Sequence, residues 1–280
     1  NLLTADAETV GQLDGAAARA GATLSVFLKV DCGYHRVGVE PDTPEAVEIP
    51  RRIQDARHLR FAGILTHAGH SYHARAREEL LALARHERDV MVELAARLRD
   101  AGVEAPTVSV GSTPTATHYD HLEGADEMRP GNYIFFDAFQ ATLGSCTFDD
   151  CALTVLASVV HRDTARRRVV IDAGAVALSK DRGPVEFDAS CGYGRVLDLE
   201  GNDLGLRVGG LSQEHGEVVA PDDGDGSGGD GGRAALERMR VGSRVRVLAN
   251  HSCLTAAQHG SYHVVEDGRV VGRWEIMRGW

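Results

Sequence analysis

Lysine is nearly absent from this chain. Of 30 basic residues only Lys29 and Lys180 are lysines, so chemistry that needs a primary amine has two side chains to draw on. Positive charge of any kind is short: 41 acidic residues leave a formal net charge of -11, which argues against nucleic acid as a partner. No run approaches the roughly 20 apolar residues that span a bilayer. Residues 1–7 (NLLTADA) have neither a basic start nor an apolar signal core, so the expectation is a cytoplasmic protein without a membrane partner. Cys32, Cys146, Cys151, Cys191 and Cys253 are odd in number and lack CxxC spacing, which argues against a disulfide framework and leaves a special cysteine as ligand or nucleophile. There is no internal repeat.

What is present is globular: 280 residues, 43% hydrophobic and 25% charged, enough for one large domain or two ordinary ones. The first half reads as strands alternating with helices. Strands are expected at residues 22–31 (ATLSVFLKVD), 61–67 (FAGILTH) and 107–111 (TVSVG), with 133–136 in or beside a fourth; helices are expected at 7–20 and 74–101, the latter stopped by Gly102. Such spacing indicates right-handed βαβ units and a parallel sheet. The second half changes to short alternating runs punctuated by glycine, at 151–161, 167–172, 204–208, 217–220, 243–248 and 262–265, as in antiparallel sheet. A domain boundary is placed between 145 and 146. Residues 221–232 (PDDGDGSGGDGG) read as an acidic surface loop with no means of packing.

The distinctive residues fall at expected strand ends, where the loops of an α/β architecture converge. The segment 111–115 (GSTPT) offers hydroxyl and backbone N–H donors, and Gly131-Asn132-Tyr133 a second set. Neighbouring loops of this kind make a phosphate site; the alternative is a pair of ordinary turns. His251 and Cys253 are two apart, so on an extended strand they would face one way and could take one metal ion through imidazole and thiolate, with positions left open for catalysis. The alternative is a half-buried histidine beside a core cysteine. His67, His70 and His73 have helical ligand spacing, but Gly69 and Ser71 favour a loop, with His67 reaching the cleft and His73 solvated. Lys29 shares a strand face with Phe27 and Asp31 and is either functional or an interior lysine paired to Asp31.

The pattern Asp31-x-Gly33-x-x-Arg36-x-Gly38, with Arg129-Pro130-Gly131, resembles fold-type III pyridoxal-phosphate proteins of the alanine racemase type. The finer motifs THAGHSY (66–72), GSTPT, RPGNYIFFD (129–137), IDAGAVALSKD (171–181) and NHSCLTAAQH (250–259) resemble the D-serine dehydratase and metal-dependent D-threonine aldolase branch, over nearly the whole chain. The resemblance implies a β/α (TIM-type) barrel that binds the cofactor in residues 1–145, and a β-rich antiparallel domain carrying the metal in residues 146–280. It implies that Arg36 lies near the cofactor's phenolic oxygen, His67 against its ring and Tyr72 near its ring nitrogen. Ser112, Thr113, Gly131 and Asn132 would hold the phosphate, and His251 with Cys253 a zinc ion.

In that branch His-x-Cys is the dehydratase pattern and His-x-Asp the aldolase pattern, so Cys253 implies a lyase that converts D-serine or a related 3-hydroxy-D-amino acid to a 2-oxo acid and ammonia. A D-threonine aldolase is the runner-up; a non-catalytic pyridoxal-phosphate carrier or an inactive remnant is the rival of another class. The resemblance also implies a homodimer. The family joins its cofactor to a lysine on an early barrel strand, and neither Lys29 nor Lys180 matches that position. Since only about four β/α units precede the boundary where a closed barrel has eight strands, the expectation is that the first strands and the anchor lysine lie upstream of residue 1.

Overall fold

The computed structural model describes residues 1–221 and 230–277. By its internal contacts the chain divides into two units, Asn1–Gly131 and Asn132–Trp280. The first carries β1 (Leu2–Thr4), α1 (Ala7–Ala20), β2 (Leu24–Lys29), α2 (Glu45–Asp55), β3 (Leu59–Leu65), α3 (Arg77–Asp100), β4 (Val108–Val110), α4 (Thr113–Ala116) and β5 (Glu127–Met128). Its five strands pair in parallel in the order β1-β2-β3-β4-β5, as the alternation of strand and helix signals requires.

Local chemistry sets the helix ends. Asp6 caps α1 by accepting from the Thr9 amide at 2.7 Å, and Gly21 ends it in the left-handed region at φ 62. Val26, Leu28, Val30 and Ile64 on the strands meet Ile49 and Ile53 of α2 and Met91, Leu94 and Leu98 of α3 in one buried cluster, each such side chain contributing roughly 1.5–3 kcal/mol by leaving water. Phe27, Ala62 and Leu65 form a separate small cluster. The sequence reading missed α2, whose apolar residues are few. Residues 133–136, expected in or beside a fourth strand, are not in one: Asn132–Ile134 is a 3-10 turn closed by the Phe135 and Phe136 amides donating to the Asn132 carbonyl, and the strand is β5 upstream of it.

The second unit carries α5 (Ala138–Leu143), β6 (Val155–Asp163), β7 (Arg168–Ile171), α6 (Ala175–Leu178), β8 (Gly194–Leu197), β9 (Asp203–Leu211), β10 (Gly216–Val219), α7 (Asp230–Arg238), β11 (Arg244–Ala249), α8 (Ser252–Gln258), β12 (Ser261–Glu266) and β13 (Arg269–Glu275). Strands β10-β7-β6-β11-β8-β9 close into an antiparallel barrel, which leaves no open edge. Alternate residues, Val155, Ala157 and Val159 on β6 and Val245 and Val247 on β11, belong to its buried core. Of the expected loop at 221–232, residues 222–229 lie outside the described residues, and the loop reading fails at 230–232 because Asp230–Arg238 is a helix that puts Ala235 and Leu236 into the same core. No helix of the described residues is long and apolar enough to cross a membrane.

One glycine fixes the register of the parallel sheet. At Gly63 the pairing of β2 with β3 shifts by a residue, φ is 139, and an added Cβ would lie 2.0 Å from the Thr107 carbonyl oxygen, a backbone position that glycine alone tolerates. Gly63→Ala is therefore expected to destabilise the fold by about 2–4 kcal/mol, read as a lowered midpoint of urea unfolding.

Candidate active site

In the first unit the loops after β3 and β4 are held by a buried acid that the sequence reading overlooked. Glu87 of α3 is fully buried. Its Oε1 accepts from the backbone amides of Ala68 and Gly111, both at 3.0 Å. Its Oε2 accepts from the Thr115 hydroxyl at 2.8 Å and the Tyr119 hydroxyl at 2.7 Å. Burial and then this carboxylate raise the Tyr119 pKa, so that hydroxyl stays a donor. The signal was available: on α3 Leu80, Ala84, Glu87, Met91 and Leu94 are all buried, and an acid inside such a stripe must have partners.

Glu87 thereby registers two expected cofactor residues. Next to Ala68 is His67, whose Nδ1 lies 2.9 Å from the Gly111 carbonyl oxygen. A carbonyl only accepts, so Nδ1 carries the proton and Nε2 is the free nitrogen of a ring whose pKa is lowered by burial and then by the Arg36 and Lys29 cations. Next to Gly111 is Ser112, buried, which caps α4: its Oγ accepts from the Thr115 amide at 3.2 Å and lies 3.0 Å from the Ser71 hydroxyl. Thr113 is buried beside it. Gly111 has φ 137, and a Cβ there would stand 2.7 Å from the Arg129 nitrogen. Gly131 has nothing within 4 Å of where a Cβ would lie.

The remaining expectations divide. Arg36 is exposed, with its guanidinium 5.0 Å from the centre of the Tyr34 ring, which in turn meets His67 edge-on at 6.0 Å. Tyr72 is half-buried in the 3-10 turn Gly69–His73, where a loop was expected, and His73 is exposed. His67, His70 and His73 do not converge: among the described residues the one cluster of three metal-type ligands is Asp31, His35 and Glu40. Lys29 does not pair with Asp31, whose carboxylate accepts from the Gly33 and His35 amides at 2.9 and 3.0 Å. Burial, then the Arg129 charge, pushes Lys29 down to about 8, while burial pushes the Cys32 thiol up to about 11 and keeps it protonated.

His251 and Cys253, the pair expected to take a metal, lie in the second unit, though not on a strand. β11 ends at Ala249, His251 precedes α8, and Cys253 stands in the first turn of that helix, exposed. The shared side of the two residues therefore comes from a helix start. His251 Nδ1 lies 2.6 Å from Asp181 Oδ2, and Asp181 Oδ1 accepts from the Gly183 amide at 2.7 Å. With Nδ1 held by a carboxylate, Nε2 is the nitrogen left for a metal, the usual outer support of a metal-bound histidine. Burial alone would lower the His251 pKa, but hydrogen bonds with Asp181 and Cys253 outweigh it and raise the value to about 10. Asp137, 1% exposed, accepts from the Ser252 amide at 2.8 Å, the Gln140 amide at 2.9 Å and the Asn132 side-chain amide. Burial raises its pKa and these hydrogen bonds oppose the rise. Asn132 Nδ2 is also 3.9 Å from Cys253 Sγ. Asp137 and Asp181 close the motifs RPGNYIFFD and IDAGAVALSKD, yet neither residue stood out in the sequence.

Comparison with known proteins identifies the family. The alanine racemase N-terminal domain family matches residues 2–138, and the putative serine dehydratase domain family matches residues 152–265. D-threo-3-hydroxyaspartate dehydratase of Delftia sp. HT23 is 39% identical over 93% of this chain and 67% of its own; its crystal structure superposes with a TM-score of 0.90, at 37% identity, over 100% of this chain and 72% of that one. The chain belongs to the D-serine dehydratase family of fold-type III pyridoxal-phosphate proteins. Other members it resembles are D-serine dehydratase of Dictyostelium discoideum, 34% identical over 91% of this chain and 65% of that protein, and D-threonine aldolase of an Arthrobacter species, 28% identical over 97% and 65%. The chain spans about two thirds of the length of these relatives. Within this family the parallel sheet is the β/α-barrel portion and the antiparallel barrel the second domain.

Two outcomes are expected for the first unit. Glu87→Ala leaves two backbone amides without an acceptor and is expected to cost about 3–5 kcal/mol, whereas Glu87→Gln keeps the amide contacts through its oxygen and loses at most about half of that in urea unfolding. The Lys29 pKa is 10.5 unfolded and about 8 folded, so below about 8 the ammonium is charged in both states and its burial is a cost. Between about 8 and 10.5 the folded protein has released a proton that the unfolded chain still holds, so stability rises with pH. Lys29→Met should therefore be more stable than the parent at pH 7, with the difference shrinking as pH is raised through that window.

Proposed function

We propose that the whole protein is a pyridoxal-phosphate- and zinc-dependent dehydratase that converts a 3-hydroxy-D-amino acid, D-serine or a relative of it, to a 2-oxo acid and ammonia. The observation that carries the reading is the pair His251 and Cys253 at the start of α8, with Asp181 on the far nitrogen of the imidazole. An exposed thiol beside an oriented imidazole suits zinc and leaves room for substrate oxygen. A cytoplasmic homodimer taking a small D-amino acid is part of the same reading and rests on the family resemblance. The end of one matched family at 138 and the start of the other at 152 support a division of labour near 145.

Ser112, Thr113, Gly131 and the Asn132 turn would hold the phosphate, with His67 against the ring, Tyr72 near its nitrogen and Arg36 near its phenolic oxygen. Bound pyridoxal phosphate supplies an electron sink for the bond broken at the substrate α-carbon. Zinc on His251 and Cys253 supplies Lewis acidity toward the 3-hydroxyl. The chain's own contribution is positioning. Glu87 fixes the loops of His67 and Ser112 at one height, and the Gly111 carbonyl holds the His67 ring with Nε2 unprotonated. Asp181 keeps the proton of His251 on Nδ1. Net, the substrate gives up its amino group as ammonia and its 3-hydroxyl as water, and one water restores the 2-oxo group.

Incubating the full-length protein with D-threonine tests the reading: 2-oxobutanoate and ammonia are expected, and glycine with acetaldehyde would make it an aldolase instead. Cys253→Ala should lower turnover at least a hundredfold without changing the melting temperature by more than a few degrees; unchanged activity in a metal-free Cys253→Ala protein would sink the zinc assignment.

A further inference from the structure

Asp137 is among the most buried carboxylates of the second unit, at 1% exposure, and the proposed chemistry gives it no part. Its two oxygens do different work. Oδ1 accepts from the Gln140 amide at 2.9 Å, so the carboxylate caps its own helix α5 and cannot swing away. Oδ2 accepts twice: from Asn132 Nδ2 and from the Ser252 backbone amide, the latter at 2.8 Å. Ser252 is the residue between the two proposed zinc ligands. Asn132 opens the turn that the proposed phosphate site uses, and its carbonyl closes that turn by accepting from the Phe135 and Phe136 amides.

One oxygen atom therefore joins the turn of one ligand to the helix start of the other. Because the carboxylate accepts and does not donate, it sets the Asn132 amide with nitrogen inward, which also brings that nitrogen within 3.9 Å of Cys253 Sγ. Both ends of the link keep an unmet polar atom: Asn132 Oδ1 and Ser252 Oγ are buried without a hydrogen-bond partner. Buried polar atoms in that condition mark a place where a bound group or its water belongs.

We propose that Asp137 is a positioning residue that couples zinc at His251 and Cys253 to pyridoxal phosphate at the Asn132 turn, so that each ligand strengthens binding of the other. The proposal rests on the zinc and phosphate assignments made above. Whichever ligand arrives first fixes the Asn132–Asp137–Ser252 link, and the second then binds to a turn or helix start that is already ordered; by linkage the effect is equal in both directions.

The test is the zinc affinity of the full-length protein, measured by competition with a chromophoric chelator with and without saturating pyridoxal phosphate. The parent protein is expected to bind zinc at least about fivefold more tightly with the cofactor, the lower end of usual coupling between sites. In Asp137→Asn the ratio is expected to fall within about twofold of unity while zinc still binds. If that variant fails to fold, Asn132→Ala, which leaves Asp137 bonded to Gln140 and Ser252, must abolish the ratio instead. A parent protein that binds both ligands with no mutual effect, or an Asp137→Asn protein that keeps the full ratio, overturns the coupling and leaves the function standing. A parent protein that binds no zinc, or binds it equally well as Cys253→Ala, overturns the metal assignment and the coupling with it.

Discussion

The parallel unit depends on a single buried carboxylate. Glu87 lies in the apolar stripe of α3, where an unpaired charge would be ruinous, and it is tolerable because four donors converge on its two oxygens. Two of them are backbone amides just past the ends of neighbouring strands, so one side chain sets how far each loop extends before it turns. His67 and Ser112 inherit their positions from that choice, and the Gly111 carbonyl, on the amide-bound residue itself, fixes the tautomer of His67. One buried side chain is thus the reason the His67 ring and the Ser112 hydroxyl are held in fixed positions on rigid strand ends.

The antiparallel unit solves the same problem with different parts. Closure of six strands makes a stiff platform with no free edge, and β11 delivers the chain from that platform directly to His251. Two carboxylates then position His251 and Cys253: Asp181, itself pinned by the Gly183 amide, takes the imidazole, and Asp137, pinned by the Gln140 amide, takes the backbone amide of Ser252 between them. Neither anchor is mobile, since each carboxylate has its second oxygen occupied by the chain near it. The acidic excess of the sequence is in part this scaffolding.

Much of the arrangement was legible in the sequence, for identifiable reasons. Period-two runs gave β6, β7 and β11, and the long amphipathic pattern gave α3, because both depend on residues close in sequence. The Asn132 turn misled because aromatic residues at 133–136 look like strand, while the backbone there is closed by the Asn132 carbonyl accepting from two following amides. Spacing of two suggested a strand for His251 and Cys253, and only the start of α8 shows that a helix brings them together. Lys29 looked like a partner for Asp31, but that carboxylate caps its own turn.

By itself the sequence determined the residue types that carry chemistry, their order along the chain, and the change from parallel to antiparallel sheet, since motifs and hydrophobic periods are local properties. Tertiary structure alone decided which acids matter. Glu87, Asp137 and Asp181 each also bond a partner 19 to 115 residues away in the chain, and a hydrogen bond with a reach near 3 Å leaves no trace in a sequence until folding brings its two ends together.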